Sequence, residues 1–337
     1  MKRAIVALLA LLLVAGLAAG AWFWRDYTAF ADAPLGLGAK ERVLDVPLGT
    51  PFNRIVRDLR RRGLTEAPLA YWRLLSWQMR VSEGLHAGEY AVEQGLTPRQ
   101  LLARMARGEV IQHRVTLIEG STFREIRAVL AREDALEQRT AAMSDADLMA
   151  AIGAPGVHPE GRFLPETYAY TKGMQDLDVL RRAYAAMQKA LAEAWESRVP
   201  DLPLSTPDEM LVLASIVEKE TGRADERERI AGVFTRRLKI GMRLQTDPTV
   251  IYGVGPAFDG NLTRAHLTTD TPYNTYTRGG LPPTPIAAPG RAALRAVAKP
   301  AEGEALYFVA RGDGSHEFSA TLAQHNAAVA RWQLRRR

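Results

Sequence analysis

The stretch Leu211–Thr221 constrains the fold of this chain more than any other. Its first seven residues carry no charge, and Glu218, Lys219 and Glu220 then follow one another. A helix that is apolar on every side is buried rather than laid on the surface. We therefore expect a buried helix at the centre of the larger folded unit, with a group of ionisable side chains at its end.

Both ends of this helix are marked in the sequence. Thr206 suits the position that caps a helix, Pro207 suits the first helical position, and Glu209 lies three residues after the cap. Gly222 suits the left-handed position that often follows a helix. These signals predict a helix that begins at Pro207 and ends at Thr221.

A carboxyl group at the end of a buried helix has two interpretations. Burial disfavours the charged form, and the raised pKa that results is what a general acid at neutral pH requires. The alternative is a solvated last turn, because charges normally reappear where a helix ends. Spacing does not choose between Glu218 and Glu220, since each continues an apolar face of the helix.

Composition excludes several kinds of site. The 337 residues include no cysteine, so disulfides, zinc–thiolate sites and thiol nucleophiles are excluded. The six histidines show no metal-ligand spacing on one helix, and no phosphate-binding loop is present, so we predict neither a metal site nor a cofactor. The net charge of +6 is compatible with nucleic acid, anionic lipid or another polyanion as partner.

The N-terminus favours lipid over nucleic acid. Lys2 and Arg3 precede an uncharged run, Ala4–Trp24, which is long enough to cross about 30 Å of hydrocarbon as a helix. Aromatic residues at its far end are typical of the membrane interface, and the basic head stays in the cytoplasm. We predict an uncleaved anchor with an exported body, so nucleic acid is not expected as a partner. A cleaved signal peptide with its site at Ala19–Ala21 is the alternative.

The chain beyond the anchor combines helices and short strands. Pro34, Gly36 and Gly38 predict a linker over residues 25–41. Alternating segments such as Arg42–Val46 predict strands, and the segments between them have the apolar spacing of helices. The sequence therefore predicts an α+β fold, in which a small strand–helix–helix–strand unit precedes a larger mixed unit built around the buried helix.

Loops before and after the buried helix carry side chains that suit carbohydrate. The apolar faces of tyrosine rings stack on sugars, while amides and hydroxyls bond to sugar hydroxyl groups. Each tyrosine can equally be a half-buried core residue, and only clustering beside one groove would decide between the two. The candidates for substrate binding are Tyr168, Gln245, Thr249, Tyr252, Asn274 and Tyr276.

Four segments carry a resemblance to a known family. Leu213–Thr221, Arg236–Tyr252, Tyr273–Thr277 and Gly280–Pro283 resemble the endolytic murein transglycosylase family, also called YceG-like. The resemblance covers nearly the whole chain, including the segment Glu160–Tyr168, and the small unit resembles the LysM module of cell-wall proteins. The implied domains are a cytoplasmic tail (1–3), a transmembrane anchor (4–24), the linker (25–41), a LysM-like subdomain (42–118) and a YceG-like catalytic domain (119–337).

The resemblance implies a location and an activity. Members of this family are single-pass inner-membrane proteins that face the periplasm and cut peptidoglycan glycan strands internally. They use no water and leave 1,6-anhydro-N-acetylmuramic acid ends. The catalytic acid is the first Glu of the Ile-Val-Glu-Lys-Glu motif, which is Glu218 here. The implied partners are glycan strands, inner-membrane lipid and penicillin-binding peptidoglycan synthases.

Two other functions stay open at this point. One carboxyl group suffices for the transglycosylase, because the attacking hydroxyl belongs to the sugar itself. A hydrolase needs a second carboxylate, about 5 Å away if retaining or about 6.5–9.5 Å if inverting. Asp247 and Glu166 are the candidates for it, and Glu220 is a candidate for orienting Glu218. The third possibility is a wall-binding scaffold without catalysis, which would bind through Leu44–Leu64.

Overall fold

The computed structural model describes residues 2–36, 43–81 and 84–334. The chain divides into two compact units. The first comprises Met1–His113 and Thr171–Gly173, and the second comprises Arg114–Tyr170 and Met174–Arg337. Helices and short strands alternate, which confirms the predicted mixed α+β class.

The first unit has a strand–helix–helix–strand order at its centre. Strands β1 and β2 pair antiparallel, with Val43 opposite Ala91 and Val46 opposite Gly88. This order agrees with the predicted one, and the likeness to LysM stays a prediction. The elements are α1 (Lys2–Asp32), β1 (Val43–Val46), α2 (Phe52–Arg61), α3 (Leu69–Gln78), β2 (Gly88–Ala91) and α4 (Pro98–Arg107).

Helix α1 has two different parts. Its N-terminal part is apolar and exposed, and among the described residues α1 is the one helix that is long and apolar enough to cross a membrane. Its C-terminal part is buried against α3, where Tyr27 donates a hydrogen bond to Gln78 at 2.6 Å. Tyr27 and Ala31 belong to the apolar core of the first unit.

The structure differs here from the predicted linker 25–41. The chain stays helical through Asp32, and Leu35 is also buried in the first core. The reason is that Tyr27 and Ala31, one turn apart, form an apolar helical face that packs against aromatic side chains of α3. The last residues of the predicted linker lie outside the described part of the chain.

The second unit surrounds one central helix. Strands β3 and β4 form one two-stranded sheet, and β5 and β6 form an antiparallel pair. A 3₁₀ turn follows α10, and a π-helical turn follows α13. The elements are β3 (His113–Thr116, whose first residue belongs to the first unit), α5 (Phe123–Leu130), α6 (Asp145–Ala151), β4 (Thr167–Tyr170), α7 (Asp176–Glu196), α8 (Pro207–Glu220), α9 (Arg227–Lys239), α10 (Asp247–Val254), α11 (Arg264–Thr268), α12 (Arg291–Ala298), β5 (Tyr307–Ala310), β6 (His316–Ser319) and α13 (Leu322–Val329).

Helix α8 is the predicted buried helix. The Thr206 hydroxyl accepts a hydrogen bond from the backbone N–H of Glu209 at 3.2 Å, so the predicted cap is confirmed. Every residue from Met210 to Val217 is buried, because α7, α9, α10 and α12 pack around them. The predicted end is wrong by one residue: α8 ends at Glu220 and Thr221 is extended.

A hydroxyl on α8 holds the proline-rich loop in place. Ser215 is fully buried, and its Oγ accepts the backbone N–H of Ile286 at 3.0 Å and donates to the carbonyl of Val212 at 2.7 Å. The buried N–H of the loop is therefore satisfied by the helix rather than by water. This contact fixes the segment that leads to Gly290.

We expect Gly161 to be required by a close approach of two loops. A Cβ at this position would lie 2.5 Å from Pro285 Cβ and 3.1 Å from the carbonyl oxygen of Ala287, at a φ of +75°. Gly153 also has a positive φ, +91°, yet nothing lies within 4 Å of a Cβ there. Gly161→Ala should therefore lower the free energy of unfolding by about 1–3 kcal/mol more than Gly153→Ala does.

Urea unfolding of the purified full chain in detergent measures this difference. Because both glycines carry the backbone strain, the comparison isolates the steric contact with Pro285. Equal losses for the two variants would contradict the predicted close approach.

Candidate active site

Glu218 lies in the last turn of α8, and its side chain is only 6% exposed. Its Oε2 accepts a hydrogen bond from the backbone N–H of Gly290 at 2.9 Å. Arg227 Nη2 lies 3.8 Å from Oε1. Gly290 is the N-cap residue of α12, so the carboxyl group is next to the positive end of a helix.

The surroundings of Glu218 favour its protonated form. Burial raises the pKa of this carboxyl group above its usual value, and the negative charge of Glu119 raises it further. The N–H of Gly290 and the positive charges of Arg227 and Lys219 oppose that rise. A carboxyl group whose pKa is raised by burial, and which has partners for its anion, suits a general acid.

Glu119 is a site residue that the sequence did not single out. Its carboxyl group lies against Gly290, because a Cβ at Gly290 would overlap Glu119 Oε1. Glu119 is exposed, in the turn that follows β3. Nothing in the local sequence pattern connects this turn with the end of α8, since the contact is made only in the tertiary fold.

A cavity of about 960 Å³ lies beside the last turn of α8. Lys219 lines it, whereas Glu218 does not. The turn at Gly120 is close to both, because a Cβ there would lie 3.5 Å from Lys219 Cδ and 4.0 Å from Glu218 Cγ. Other lining residues come from the start of α5, the segment 158–160, α10 and the loops that follow it.

Glu160 forms part of the cavity wall and is 4% exposed. Its Oε1 accepts the backbone N–H of Phe123 at 2.9 Å, and its Oε2 accepts the hydroxyl of Tyr252 at 3.1 Å. Burial raises the pKa of Glu160 to about 7 against the effect of these hydrogen bonds, and Glu125 adds to the rise. Glu160 lies in the segment Glu160–Tyr168, but the sequence alone did not predict a role for it. The one hint in the sequence was a carboxylate placed among turn-forming and apolar residues.

Glu220 is directed to a different part of the second unit. Its Oε1 accepts the hydroxyl of Thr246, and no hydrogen bond joins it to Glu218 within the described residues. Burial raises the pKa of Glu220 to about 7, and Asp247 contributes to that rise. Asp247 is exposed and accepts the hydroxyl of Tyr276 at 2.5 Å. The structure therefore groups Glu220, Asp247 and Tyr276, rather than Glu218 and Asp247.

Three of the predicted substrate-binding residues are buried. Tyr168 donates to the carbonyl of Leu164 at 2.7 Å, which corresponds to the core alternative stated for each tyrosine. The Thr249 hydroxyl donates to the carbonyl of Thr246 at 2.8 Å. The amide of Asn274 donates to backbone carbonyls between residues 266 and 269 and so holds its own loop together. These polar groups are all engaged inside the protein.

The other predicted residues lie at or near the surface. Glu166 is exposed and accepts a hydrogen bond from Arg291 at 3.0 Å. Gln245 is exposed and has a positive φ of 47°. Tyr252 lines the cavity, with its ring centroid 4.8 Å from that of Tyr273. Within the described ranges, no three His, Asp or Glu side chains are placed to hold a metal ion.

Comparison with known families places most of the chain in one family. The sequence profile of the YceG-like family matches residues 44–331. The chain belongs to the YceG-like family. The matched region includes the end of α8 and the residues that line the cavity.

Two relatives carry a functional name. The chain is 28% identical over 306 residues to the endolytic murein transglycosylase of Bacillus subtilis (strain 168). That alignment covers 86% of this chain and 84% of the Bacillus protein. It is 26% identical over 361 residues to the endolytic murein transglycosylase of Streptococcus pneumoniae serotype 2, strain D39. That alignment covers 95% of this chain and 64% of the pneumococcal protein.

A solved structure shares the fold. The crystal structure at 2.6 Å of a protein from Listeria monocytogenes, described as YceG-like, matches with a TM-score of 0.55 and 26% identity. The match covers 85% of this chain and 98% of the Listeria chain.

We expect the charge on Glu220 to make stability depend on pH. Its pKa rises from 4.5 to about 7 on folding, so the folded state binds this proton more tightly than the unfolded state. Stability from this group is therefore lost as pH rises from about 4.5 through 7. Glu220→Gln keeps an acceptor for Thr246 and removes the charge, so its gain in unfolding free energy should be about 1–2 kcal/mol larger at pH 8 than at pH 5.

Denaturant unfolding at the two pH values measures this gain. Glu228→Gln, at an exposed position of α9, is the control and should give the same difference from wild type at both. A Glu220→Gln gain that does not grow with pH would contradict the burial of this charge.

Proposed function

We propose that this protein is a membrane-anchored endolytic peptidoglycan transglycosylase with Glu218 as its acid. The observation that carries the proposal is a buried carboxyl group of raised pKa, held by the N–H of Gly290 at the end of α8. The cavity beside it gives room for a polymer substrate. The names of the relatives in Bacillus and Streptococcus support the same activity.

The reaction needs one carboxyl group in two states. The protonated Glu218 gives its proton to the oxygen between N-acetylmuramic acid and N-acetylglucosamine, and the bond from that oxygen to C1 breaks. The C6 hydroxyl of the same muramic acid residue attacks C1 and passes its proton to the Glu218 carboxylate. A 1,6-anhydro ring forms, no water is consumed, and the acid is restored.

The neighbours of Glu218 serve both states. When Glu218 has lost its proton, the N–H of Gly290 donates to the anion, and the positive charges of Arg227 and Lys219 stabilise it. Burial and Glu119 favour the return of the proton. Both protonation states of Glu218 therefore have groups nearby that favour them.

The proposal extends to location and domains. Helix α1 anchors the chain in the inner membrane, with residues 1–3 in the cytoplasm and the body in the periplasm. Residues 4–24 cross the membrane and contact its lipid. The first unit acts as a LysM-like glycan-binding subdomain over residues 42–118, and residues 119–337 form the catalytic domain. Penicillin-binding peptidoglycan synthases are the proposed protein partners, since cleavage near them would end nascent strands.

Glu218→Gln tests the assignment of the acid. The amide cannot give a proton, so the rate of strand cleavage should fall by about 100-fold or more. Glu302→Gln, at an exposed position, is the matched control and should cleave like wild type. Mass spectrometry of the fragments released from purified peptidoglycan should show 1,6-anhydro ends for the wild type and the control.

Two outcomes would overturn the proposal. Fragments with reducing ends would indicate a hydrolase that uses Glu218 with a second carboxylate such as Asp247. If the wild type cleaved no strands and Glu218→Gln left the cellular phenotype unchanged, the protein would be a wall-binding scaffold.

A further inference from the structure

Two cations that line the cavity form no ion pair within the described residues. Arg124 is exposed at the start of α5, and no hydrogen bond or ion pair engages its side chain within residues 2–36, 43–81 and 84–334. Lys219 donates to the carbonyl of Gly120 at 3.1 Å and, over the same ranges, pairs with no carboxylate. Arg124 is therefore available to a ligand, and the Lys219 ammonium has donors left for a ligand beside its contact with Gly120.

The other charges of the cavity are already engaged. Arg127 pairs with Asp145 at 2.7 Å and donates to two backbone carbonyls. Glu125 accepts both the N–H and the hydroxyl of Thr122 in a capping box. The cations of the described lining that remain without an ion pair are therefore Arg124 and Lys219, and they are opposed by Glu125 and by Glu160 when Glu160 is ionised.

The remaining lining is apolar or aromatic. Phe123, Ile251, Phe258 and Ile286 contribute hydrocarbon surface, and Tyr252 contributes an aromatic ring. An apolar cavity with a few placed polar groups is the usual form of a site for a small organic group. The complementary ligand here is a short, partly apolar chain that ends in carboxylates.

Peptidoglycan contains such a group. Its sugars are neutral, but each muramic acid bears a short peptide stem with free carboxylates. We propose that this cavity receives the peptide stem of the glycan strand, with Arg124 and Lys219 binding its carboxylates. The inference rests on the proposed function, because it takes peptidoglycan as the substrate. It adds that the protein distinguishes strands by the charge of their stems.

The position of the cavity supports this use. Lys219 lines it and is the residue after Glu218, so a stem held there is attached to a sugar close to the acid. The same helix end then serves two parts of one substrate. Burial of the stem side chains among apolar residues adds affinity, and the ion pairs select free carboxylates over amides.

Glu160 adds a dependence on pH. It faces the cavity between Glu125 and Tyr252 of the flanking helices, and His158 accepts its backbone N–H at 3.2 Å. Burial lowers the pKa of His158, so this neighbour is neutral at pH 7. The pKa of Glu160 is about 7, so its negative charge develops beside the stem carboxylates as pH rises through that value. Binding of an acidic stem should weaken over the same range.

The test uses the full chain in detergent and a free stem tripeptide, L-alanyl-γ-D-glutamyl-meso-diaminopimelate, with its fully amidated form as comparison. Neither peptide has a glycosidic bond, so the result does not depend on cleavage. Wild type should bind the acidic peptide about fivefold more tightly at low salt, and added salt should reduce that preference. Arg124→Ala should remove most of it, while Arg132→Ala, an exposed control outside the cavity, should retain it.

A second variant tests the role of Glu160 and keeps hydrogen-bonding groups for its two partners. Glu160→Gln keeps an acceptor and a donor for Phe123 and Tyr252, and it should abolish the loss of affinity between pH 6 and pH 8. Equal binding of the two peptides by wild type, or a preference that Arg124→Ala leaves intact, would overturn the inference. Strand cleavage without stem preference would overturn it and leave the transglycosylase proposal standing. Preferential binding of the acidic stem without strand cleavage would overturn the transglycosylase proposal and leave the stem-binding inference standing.

Discussion

The contact between the Glu218 carboxyl group and the backbone N–H of Gly290 is the interaction on which the site depends. It joins the end of the buried helix α8 to the start of α12, and both helices belong to one apolar core. A carboxyl group brought into such a core would lose its charge entirely without a donor. One N–H and the more distant Arg227 compensate for part of the burial, so the anion has partners although burial raises the pKa of the group.

Two other buried carboxyl groups of the second unit connect elements of the fold. Glu160 connects the start of α5 with α10 through Phe123 and Tyr252, so it helps to shape the cavity. Glu220 connects the end of α8 with the start of α10 through Thr246. Burial raises the pKa of both, yet of these three carboxyl groups only Glu218 has an arginine, Arg227, within ion-pair distance among the described residues. A raised pKa alone therefore does not distinguish the three groups, and their contacts do.

Local sequence predicted the parts of the fold that local physics determines. The all-round apolar face and the Thr206 cap were sufficient for α8, but its end depended on Thr221, which is extended with its hydroxyl accepting the N–H of Arg223. Glu160 could not be assigned a role in this way, because its partners lie 37 and 92 residues away along the chain. Tyr252 and Tyr168 look alike in sequence, and only the tertiary fold puts one at a cavity and the other in a core.

The continuous helix α1 has a mechanical consequence. Because it passes without a break from its exposed apolar part into the core around Tyr27 and Ala31, no hinge would separate the proposed anchor from the first unit. Membrane-spanning helices tilt to match the thickness of the surrounding bilayer. Any such tilt would lean the attached unit over by the same angle, so the thickness of the lipid layer would decide how far that unit stands above it.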